Sequence, residues 1–167
     1  METIFESKRI SFVKISELLV KEYLDMVNDV ENIERFIGPL HDPYTEEQEI
    51  KWIKDKLEEK AFVLSMIEKA TGEFIGNIEY MDLNEENAEL GIAITFKKQN
   101  QGFGREAIKA ILNYGKNTLH LKTVYLRTHL DNYRAMHVYN ICGFKEYKRT
   151  DQVYMMIDLT AIYIYNK

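Results

Sequence analysis

The spacing of apolar residues predicts a chain that begins with antiparallel strands and ends with alternating helices and strands. Apolar and polar residues alternate, as in strands that bury one face, over Arg9–Lys14, Phe62–Ile67, Phe74–Tyr80 and Ala88–Phe96. The turn Ala70–Glu73 makes the second and third of these segments an antiparallel hairpin. After Gly104, helical spacing alternates with strand-like spacing, which predicts a βαβ arrangement.

Residues that commonly cap helices mark the helical segments of the first half. Ser16 precedes one helical pattern, and Thr45 with Gln48 forms a capping box before another. A short helix is also predicted over Val30–Ile37. The elements predicted for the second half are a helix at Arg105–Leu119, a strand at Thr123–Thr128, a helix at Asn132–Cys142, and strands at Phe144–Thr150 and Val153–Tyr163. Together these segments predict an α/β fold with a mixed sheet of six or seven strands and about four helices.

Composition narrows the class of protein. A chain of 167 residues with 46% apolar content is expected to form one domain over residues 1–167. It shows neither a secretory leader nor an apolar run of roughly 18 residues, so no membrane association is expected. The lone Cys142 excludes an internal disulfide and fits a reducing compartment. We therefore expect a cytoplasmic protein.

Charge is distributed unevenly along the chain. The net charge of −5 argues against a nucleic-acid partner. Residues 1–96 carry 10 Lys and Arg against 22 Asp and Glu, whereas residues 97–149 carry 11 against 3. A basic half suits an anionic cofactor and an acidic half suits a cationic substrate, although solvated helix faces would give the same asymmetry.

The segment Gln99–Gly104 lies between a predicted strand and a predicted helix. Gly102 and Gly104 allow the backbone to approach a ligand closely, and the helix start offers unpaired N–H groups that suit phosphate. Taken alone, the segment is also typical of a simple tight turn. Gly102–Ala107 matches the dinucleotide pattern G-x-G-x-x-[GA] as well, but that pattern belongs after a strand in a repeated βαβ array.

Two motifs together resemble those of the GNAT superfamily of N-acetyltransferases. The first is the acyl-CoA loop Q/R-x-x-G-x-G/A, matched by Gln99, Gly102 and Gly104. The second is an Asn that opens a helix followed by A-x-x-x-Y-x-x-x-G-F, and its matching residues are Asn132, Ala135, Tyr139, Gly143 and Phe144. The order of elements agrees over nearly the whole chain. Within the superfamily, the chain resembles the subgroup that acts on ribosomal-protein N-termini, polyamines and antibiotics.

The resemblance implies acetyl-CoA as cosubstrate and a sheet that splays beside the strand at residues 88–96. The pantetheine arm is then expected to lie in the splay and to bond to backbone groups at Ile92, Ala93 and Ile94. The pyrophosphate is expected on the amides of Gln99, Asn100, Gln101, Gly102, Phe103, Gly104 and Arg105. Asn132 is expected to cap its helix and to contact the cofactor, with Ala135 and Tyr139 lining the same site. No metal is implied.

The resemblance also assigns the chemistry. Tyr139 is expected to donate a proton to the departing CoA thiolate, although a packed core tyrosine is the alternative. A protonated amine needs a base or a water path, and Glu89 is the first candidate for that base, with Glu79 second. Either carboxylate would equally be an ordinary polar strand residue.

The expected reaction is direct transfer of an acetyl group to a primary amine in a ternary complex. The acceptor is expected to be a small molecule or peptide, and the charge distribution predicts a preference for cationic amines. The identity of the acceptor stays open. Whether the chain forms a homodimer also stays open. Phe36, Tyr44 and Trp52 lie where the family roofs its acceptor pocket. Two alternatives are a non-catalytic acyl-CoA-binding or sensing module and a nicotinamide-dinucleotide-binding enzyme.

Neither cysteine nor histidine chemistry is predicted. Cys142 occupies an apolar helix position and is expected to be a small buried hydrophobe rather than a nucleophile. The four histidines show no metal-ligand spacing.

Overall fold

The computed structural model describes residues 1–32 and 42–160, and it contains one eight-stranded sheet. The strands are Thr3–Glu6 (β1), Ile10–Lys14 (β2), Phe62–Glu68 (β3), Phe74–Met81 (β4), Asn87–Ile94 (β5), Thr123–His129 (β6), Lys145–Arg149 (β7) and Gln152–Asp158 (β8). Their spatial order is β1-β2-β3-β4-β5-β6-β8-β7. The helices are Val20–Val27 (α1), Glu46–Glu58 (α2), Phe103–Asn117 (α3) and Tyr133–Ile141 (α4).

The mixed α/β fold is confirmed, with one strand more than the six or seven predicted. The additional strand is β1, which pairs antiparallel with β2 through an irregular register. Its apolar residues Ile4 and Phe5 are adjacent rather than alternating, so the sequence pattern gave no strand signal. The ring of Phe5 stacks on that of Phe12 with centroids 4.3 Å apart, which is a tertiary contact.

The caps predicted in the first half are present. Thr45 Oγ1 accepts from the Gln48 amide at 3.2 Å, and Gln48 Oε1 accepts from the Thr45 amide at 2.9 Å, so the capping box is confirmed. Ser16 caps a single 3-10 turn at Glu17–Leu19, which then continues into α1. Of the helix predicted at Val30–Ile37, residues 30–32 are helical and the remainder lies outside the described residues.

Two predicted boundaries differ from the structure. Helix α3 begins at Phe103, two residues before the predicted start, and ends at Asn117. Strand β8 ends at Asp158, where the Asp158 carboxylate accepts from the amide and the hydroxyl of Thr160 in a turn. Residues 161–163, predicted to extend this strand, lie outside the described residues.

The chain forms two compact units and passes between them three times. The first unit comprises Met1–Glu79 and Ile92–Phe103, and the second comprises Tyr80–Gly91 and Gly104–Lys167. The core of the first unit is an apolar cluster of Ile15, Leu19, Val20, Tyr23, Met26, Ile53, Val63 and Phe74. Buried residues of the second unit include Ile108, Ile111, Leu112, Val124, Leu126, Phe144, Met155 and Ile157. No helix in the described part of the chain is long and apolar enough to span a membrane.

The parallel pairing of β5 with β6 is short. It joins Asn87 to Thr123, Ala88 to Val124, and Glu89 to Tyr125. Within the second unit, Leu90 and Gly91 of β5 already lie beyond the last of these pairs. On its other side β6 pairs antiparallel with β8 over seven residues. The early end of the parallel pairing is what the predicted splay requires.

Within the first unit, β4 and the end of β5 approach each other closely at Gly76. A Cβ built on Gly76 would lie 2.0 Å from the carbonyl oxygen of Ala93 and 2.9 Å from the Cα of Ile94. The Thr95 amide also donates to the Ile75 carbonyl at 2.9 Å. Because these atoms are backbone atoms, only glycine allows this spacing.

We expect Gly76→Ala to destabilise the fold. Overpacking of this kind typically costs about 1–3 kcal/mol, and for a chain of this length each 1 kcal/mol lowers the Tm by about 2–4 °C. Thermal unfolding followed by circular dichroism measures the change. An unchanged Tm would contradict the close approach of Gly76 to Ala93.

Candidate functional site

The turn that joins β5 to α3 keeps several amide groups unpaired. Asn100 and Gly102 have φ of +62° and +82°, so the backbone is left-handed at both positions. In the part of the chain that the structure describes, the N–H groups of Asn100, Gln101 and Gly102 donate to no acceptor. Successive exposed amides of this kind form a concavity that suits an anion.

Side chains of the turn hold its shape by bonding back to the backbone. Gln99 Nε2 donates to the Ile94 carbonyl at 3.0 Å, and Gln101 Nε2 donates to the Lys97 carbonyl at 2.8 Å. The predicted motif residue Gln99 is therefore committed to the end of β5. Its side chain fixes the turn, while Asn100, Gln101 and Gly102 are exposed.

Lys98, the residue before the turn, is paired rather than solvated. Its side chain is only 11% exposed, and its ammonium lies 2.7 Å from Glu68 and 3.4 Å from Glu73. The hydrogen bond with Glu68 raises the pKa of Lys98, and the same bond lowers the pKa of Glu68. Lys98 therefore ties the turn to β3, and its charge is already matched.

Arg9, which no sequence motif identified, contacts the same turn. Its Nη1 donates to the Gln101 carbonyl at 3.0 Å. The guanidinium carbon lies 4.2 Å from the centroid of the Phe103 ring, and Phe103 is 1% exposed. The contact with Gln101 joins residues 92 positions apart, so no local pattern in the sequence could have shown it.

Helix α3 starts immediately after the turn. Phe103 is its first residue and is buried, so this predicted cofactor residue leaves almost no surface exposed. The side chain of Arg105 is exposed in the first turn. The helix is 15 residues long, and its amino terminus presents unpaired N–H groups and a positive dipole end.

Tyr139 lies in α4 of the second unit, about one turn before Gly143. The Phe144 amide donates to the Tyr139 carbonyl at 3.0 Å, and the two rings meet edge to face with centroids 6.1 Å apart. Among the described residues, the Tyr139 hydroxyl makes no hydrogen bond. Burial raises the pKa of Tyr139 to about 12, with a smaller contribution from Cys142. The ring is therefore held by packing, while its protonated hydroxyl has no hydrogen-bond partner among the described residues.

The remaining residues of the second motif have structural roles. Asn132 is buried, and its Oδ1 accepts from the Ala135 amide at 3.4 Å, so the predicted N-cap is confirmed. Its Nδ2 donates to Thr128 Oγ1 at 3.2 Å, which joins the start of α4 to β6. Cys142 is buried at the end of α4, and its thiol lies 3.9 Å from the Arg105 carbonyl. Burial raises the pKa of this thiol, as expected for a structural cysteine.

Neither predicted base is an isolated carboxylate. Glu89 accepts from Arg127 Nε at 2.7 Å, and this hydrogen bond raises the pKa of Arg127. Glu79 is partly buried on β4. A role for Glu89 as a base requires that its ion pair with Arg127 opens, and that role stays a prediction.

Glu49, on α2 of the first unit, is a second feature that the sequence analysis missed. The residue is 7% exposed, and its carboxylate accepts no hydrogen bond and joins no ion pair within the described residues. Burial raises its pKa. One turn further along α2, Trp52 meets Tyr23 edge to face with centroids 6.1 Å apart. The sequence contains a signal for this burial, because Glu49 lies four residues before the buried Ile53 and residues four apart share a helix face.

The predicted site residues are distributed over both units. Ile92, Ala93, Ile94 and Gln99–Phe103 belong to the first unit. Glu89, Gly104, Arg105, Asn132, Ala135 and Tyr139 belong to the second. Phe36 lies outside the described residues, and no group of three or more potential metal ligands occurs within them.

Comparison with known proteins connects these features to a family. A family model described as "Acetyltransferase (GNAT) domain" matches residues 9–145. The spermidine N(1)-acetyltransferase of Vibrio cholerae serotype O1 is 32% identical over 108 residues, which are 63% of this chain and 62% of that protein. The chain thus spans less than two thirds of the length of this curated relative.

Solved structures share the fold at lower identity. An acetyltransferase (GNAT family) from Bacillus anthracis is 18% identical with a TM-score of 0.83, over 93% of this chain and 98% of that chain. Spermidine N-acetyltransferase from Vibrio cholerae in complex with CoA and spermine is 21% identical with a TM-score of 0.80, over 92% and 98%. These structural matches establish the fold.

We expect Glu49→Gln to stabilise the protein at neutral pH. Because burial raises the pKa of Glu49 in the folded state, its ionised form opposes folding above its ordinary value of 4.5, and the penalty vanishes below that pH. The variant should therefore unfold a few degrees higher at pH 8 and at the wild-type temperature at pH 4. Differential scanning calorimetry at both pH values tests this expectation.

Glu47→Gln is the matched control, because Glu47 is exposed in the same helical turn and carries the same charge. It should not raise the Tm at pH 8. If both variants stabilised the protein equally, burial of Glu49 would not be the cause.

Proposed function

The chain belongs to the GNAT acetyltransferase family, and from that premise we propose that it transfers the acetyl group of acetyl-CoA to a primary amine. The observation that carries the proposal is the family match over residues 9–145, which includes both the turn at 99–104 and Tyr139. The proposed reaction is direct transfer in a ternary complex, without a covalent enzyme intermediate. The buried Cys142 supports this, because burial raises the pKa of its thiol and so disfavours the nucleophilic thiolate.

The turn is the proposed site for the pyrophosphate of acetyl-CoA. Within the described residues, the amides of Asn100, Gln101 and Gly102 are unpaired, and the start of α3 follows them. Together they supply hydrogen-bond donors and a positive dipole end, which stabilise a bound anion. We propose that backbone groups of Ile92, Ala93 and Ile94 bind the pantetheine arm, and that Asn132 and Ala135 also bind acetyl-CoA. Arg105, exposed in the first turn of α3, adds a positive charge.

Tyr139 is the proposed acid. Attack of the amine on the thioester forms a tetrahedral intermediate, and its collapse breaks the carbon–sulfur bond and leaves a thiolate. With a pKa of about 12, the phenol stays protonated throughout the working pH range. Complete transfer of its proton to a thiolate whose conjugate thiol has a pKa near 8.5 would be uphill by roughly 5 kcal/mol. Tyr139 therefore acts mainly by donating a hydrogen bond to the sulfur as negative charge develops there.

The unpartnered hydroxyl of Tyr139 also separates the proposal from its main alternative. In a non-catalytic acyl-CoA-binding module the ring would serve packing alone, and phenylalanine would do so without desolvating a hydroxyl. Family membership likewise favours acetyl-CoA over a nicotinamide dinucleotide as the ligand of the turn.

The proposed acceptor is a cationic amine such as a polyamine. Residues 1–96 carry 22 acidic residues against 10 basic ones, so this part of the chain attracts cations. Glu49, on α2, is buried in that part of the chain, and Trp52, one turn further along α2, meets the ring of Tyr23 edge to face. An ammonium group would satisfy the carboxylate, and aromatic rings nearby would favour the cation. The relatives named for spermidine acetylation support this class of acceptor.

A panel of amines tests the proposed acceptor. With acetyl-CoA as donor and thiol release as the readout, spermidine and basic N-terminal peptides should give higher kcat/KM than neutral amines or acidic peptides. Their kcat/KM should fall as salt is added, because steering by exposed charge is screened within about 10 Å at 0.1 M. Acidic peptides as the best acceptors, or activity independent of salt, would overturn the cationic preference.

Substitution of Tyr139 tests the chemistry. Tyr139→Phe should lower kcat at least tenfold and leave the Kd for acetyl-CoA nearly unchanged, because the lost hydrogen bond is made mainly in the transition state. Since the phenol stays protonated, wild-type kcat should show no loss attributable to Tyr139 up to about pH 10.

The matched control is Tyr133→Phe, because Tyr133 lies in the same helix and is 73% exposed. It should retain wild-type kcat. Wild-type turnover in Tyr139→Phe would remove Tyr139 from the mechanism.

A further inference from the structure

We infer that Arg9 is a positioning residue that holds the 99–103 turn in its pyrophosphate-binding conformation. The inference rests on the proposed function, because the ligand of the turn is taken to be acetyl-CoA. It concerns a residue about 90 positions before the turn, outside both sequence motifs. The contacts that carry it lie entirely within the first unit.

Arg9 contacts the turn at three successive residues. Its Nη1 donates to the Gln101 carbonyl at 3.0 Å, and its guanidinium lies over the ring of Phe103 at 4.2 Å. A Cβ built on Gly102 would lie 3.3 Å from Arg9 Nη2, so the guanidinium occupies the space beside that glycine. A planar group that donates to one residue and stacks on another constrains both at once.

The hydrogen bond fixes the direction of the amides. Because the Gln101 carbonyl points toward Arg9, the peptide plane that it shares with Gly102 has a fixed orientation, and the Gly102 N–H points the opposite way. The residues on either side of Gln101 have left-handed backbones and need this restraint on the peptide plane. The conformation of Asn100, with φ of +62°, is uncommon for a residue other than glycine. Without this restraint, the turn would sample conformations in which its amides no longer converge.

The base of Arg9 is itself anchored. The Arg9 carbonyl accepts from the Lys69 amide at 2.8 Å, and the next residue, Ile10, pairs with Glu68 in the β2–β3 ladder. Glu68 also binds Lys98 at 2.7 Å. The paired strands β2 and β3 thus hold the turn at two points, with Lys98 before it and Arg9 against its last residues.

The experiment compares two acetyl donors in the full chain. Acetyl-CoA contains the pyrophosphate, whereas acetyl-pantetheine lacks it. Arg9→Met should raise the Kd and KM for acetyl-CoA about tenfold, as loss of a charged hydrogen bond predicts. The KM for acetyl-pantetheine and kcat at saturating acetyl-CoA should stay at wild-type values. Arg9→Lys should recover only part of the acetyl-CoA affinity, because an ammonium can donate to Gln101 but cannot stack as a plane.

Lys8→Met is the matched control, because Lys8 is the exposed neighbouring cation. Lys8→Met should leave the KM for acetyl-CoA and the KM for acetyl-pantetheine unchanged. This result separates a positioning role of Arg9 from general electrostatic attraction. Equal loss with both donors in Arg9→Met, or no loss with either, would overturn the inference, as would full recovery in Arg9→Lys. A wild-type protein that bound no acetyl-CoA in calorimetry would instead refute the proposed function, and the role of Arg9 with it.

Discussion

The turn that joins β5 to α3 has a backbone conformation that is unfavourable for the segment on its own. Two of its residues have left-handed backbone conformations. Three consecutive amides of the turn donate to no acceptor among the described residues. Such a segment persists only when its surroundings determine its conformation. Here the side chains of Gln99 and Gln101 bond back to the preceding backbone. Lys98 and Arg9 connect the turn to the paired strands β2 and β3.

Two further polar groups are buried or fixed without a partner in the described part of the chain. The Tyr139 hydroxyl is held by the packing of its ring on Phe144, and the Glu49 carboxylate is enclosed on α2. Leaving a buried polar group unpaired typically costs about 1–3 kcal/mol. Under the proposed function, each of these groups meets a ligand: the turn offers donors for the pyrophosphate, Tyr139 a donor for the developing thiolate, and Glu49 an acceptor for the ammonium of the acceptor.

The charged residues of the candidate site divide by what they contact. Lys98 and Glu89 are both paired, with Glu68 and Arg127 respectively, and they contribute to the architecture of their units. Arg105 and Glu49 are not paired in this way within the described residues, and the proposed function assigns them to ligands. A formal count of charge along the chain suggests where an anion or a cation binds. Only the contacts show which charges are available to it.

The sequence by itself determined what depends on neighbours along the chain. The capping box at Thr45, the N-cap at Asn132 and the placement of Tyr139 one turn before Gly143 are local relations, so spacing reveals them. The alternating segments predicted most strands for the same reason, and they missed β1 because its contacts, not its pattern, make it a strand.

Tertiary structure alone decided the contacts between distant segments. Arg9 meets Gln101 across 92 positions, Lys98 meets Glu68 across 30, and Glu89 meets Arg127 across 38. The burial of Glu49 likewise depends on what packs against α2. These relations follow from strand register and helix packing, in which a shift of one residue sends a side chain to the opposite face. Short-range patterns in a sequence do not encode that choice, because many partners of equal chemistry are available until the whole chain has packed.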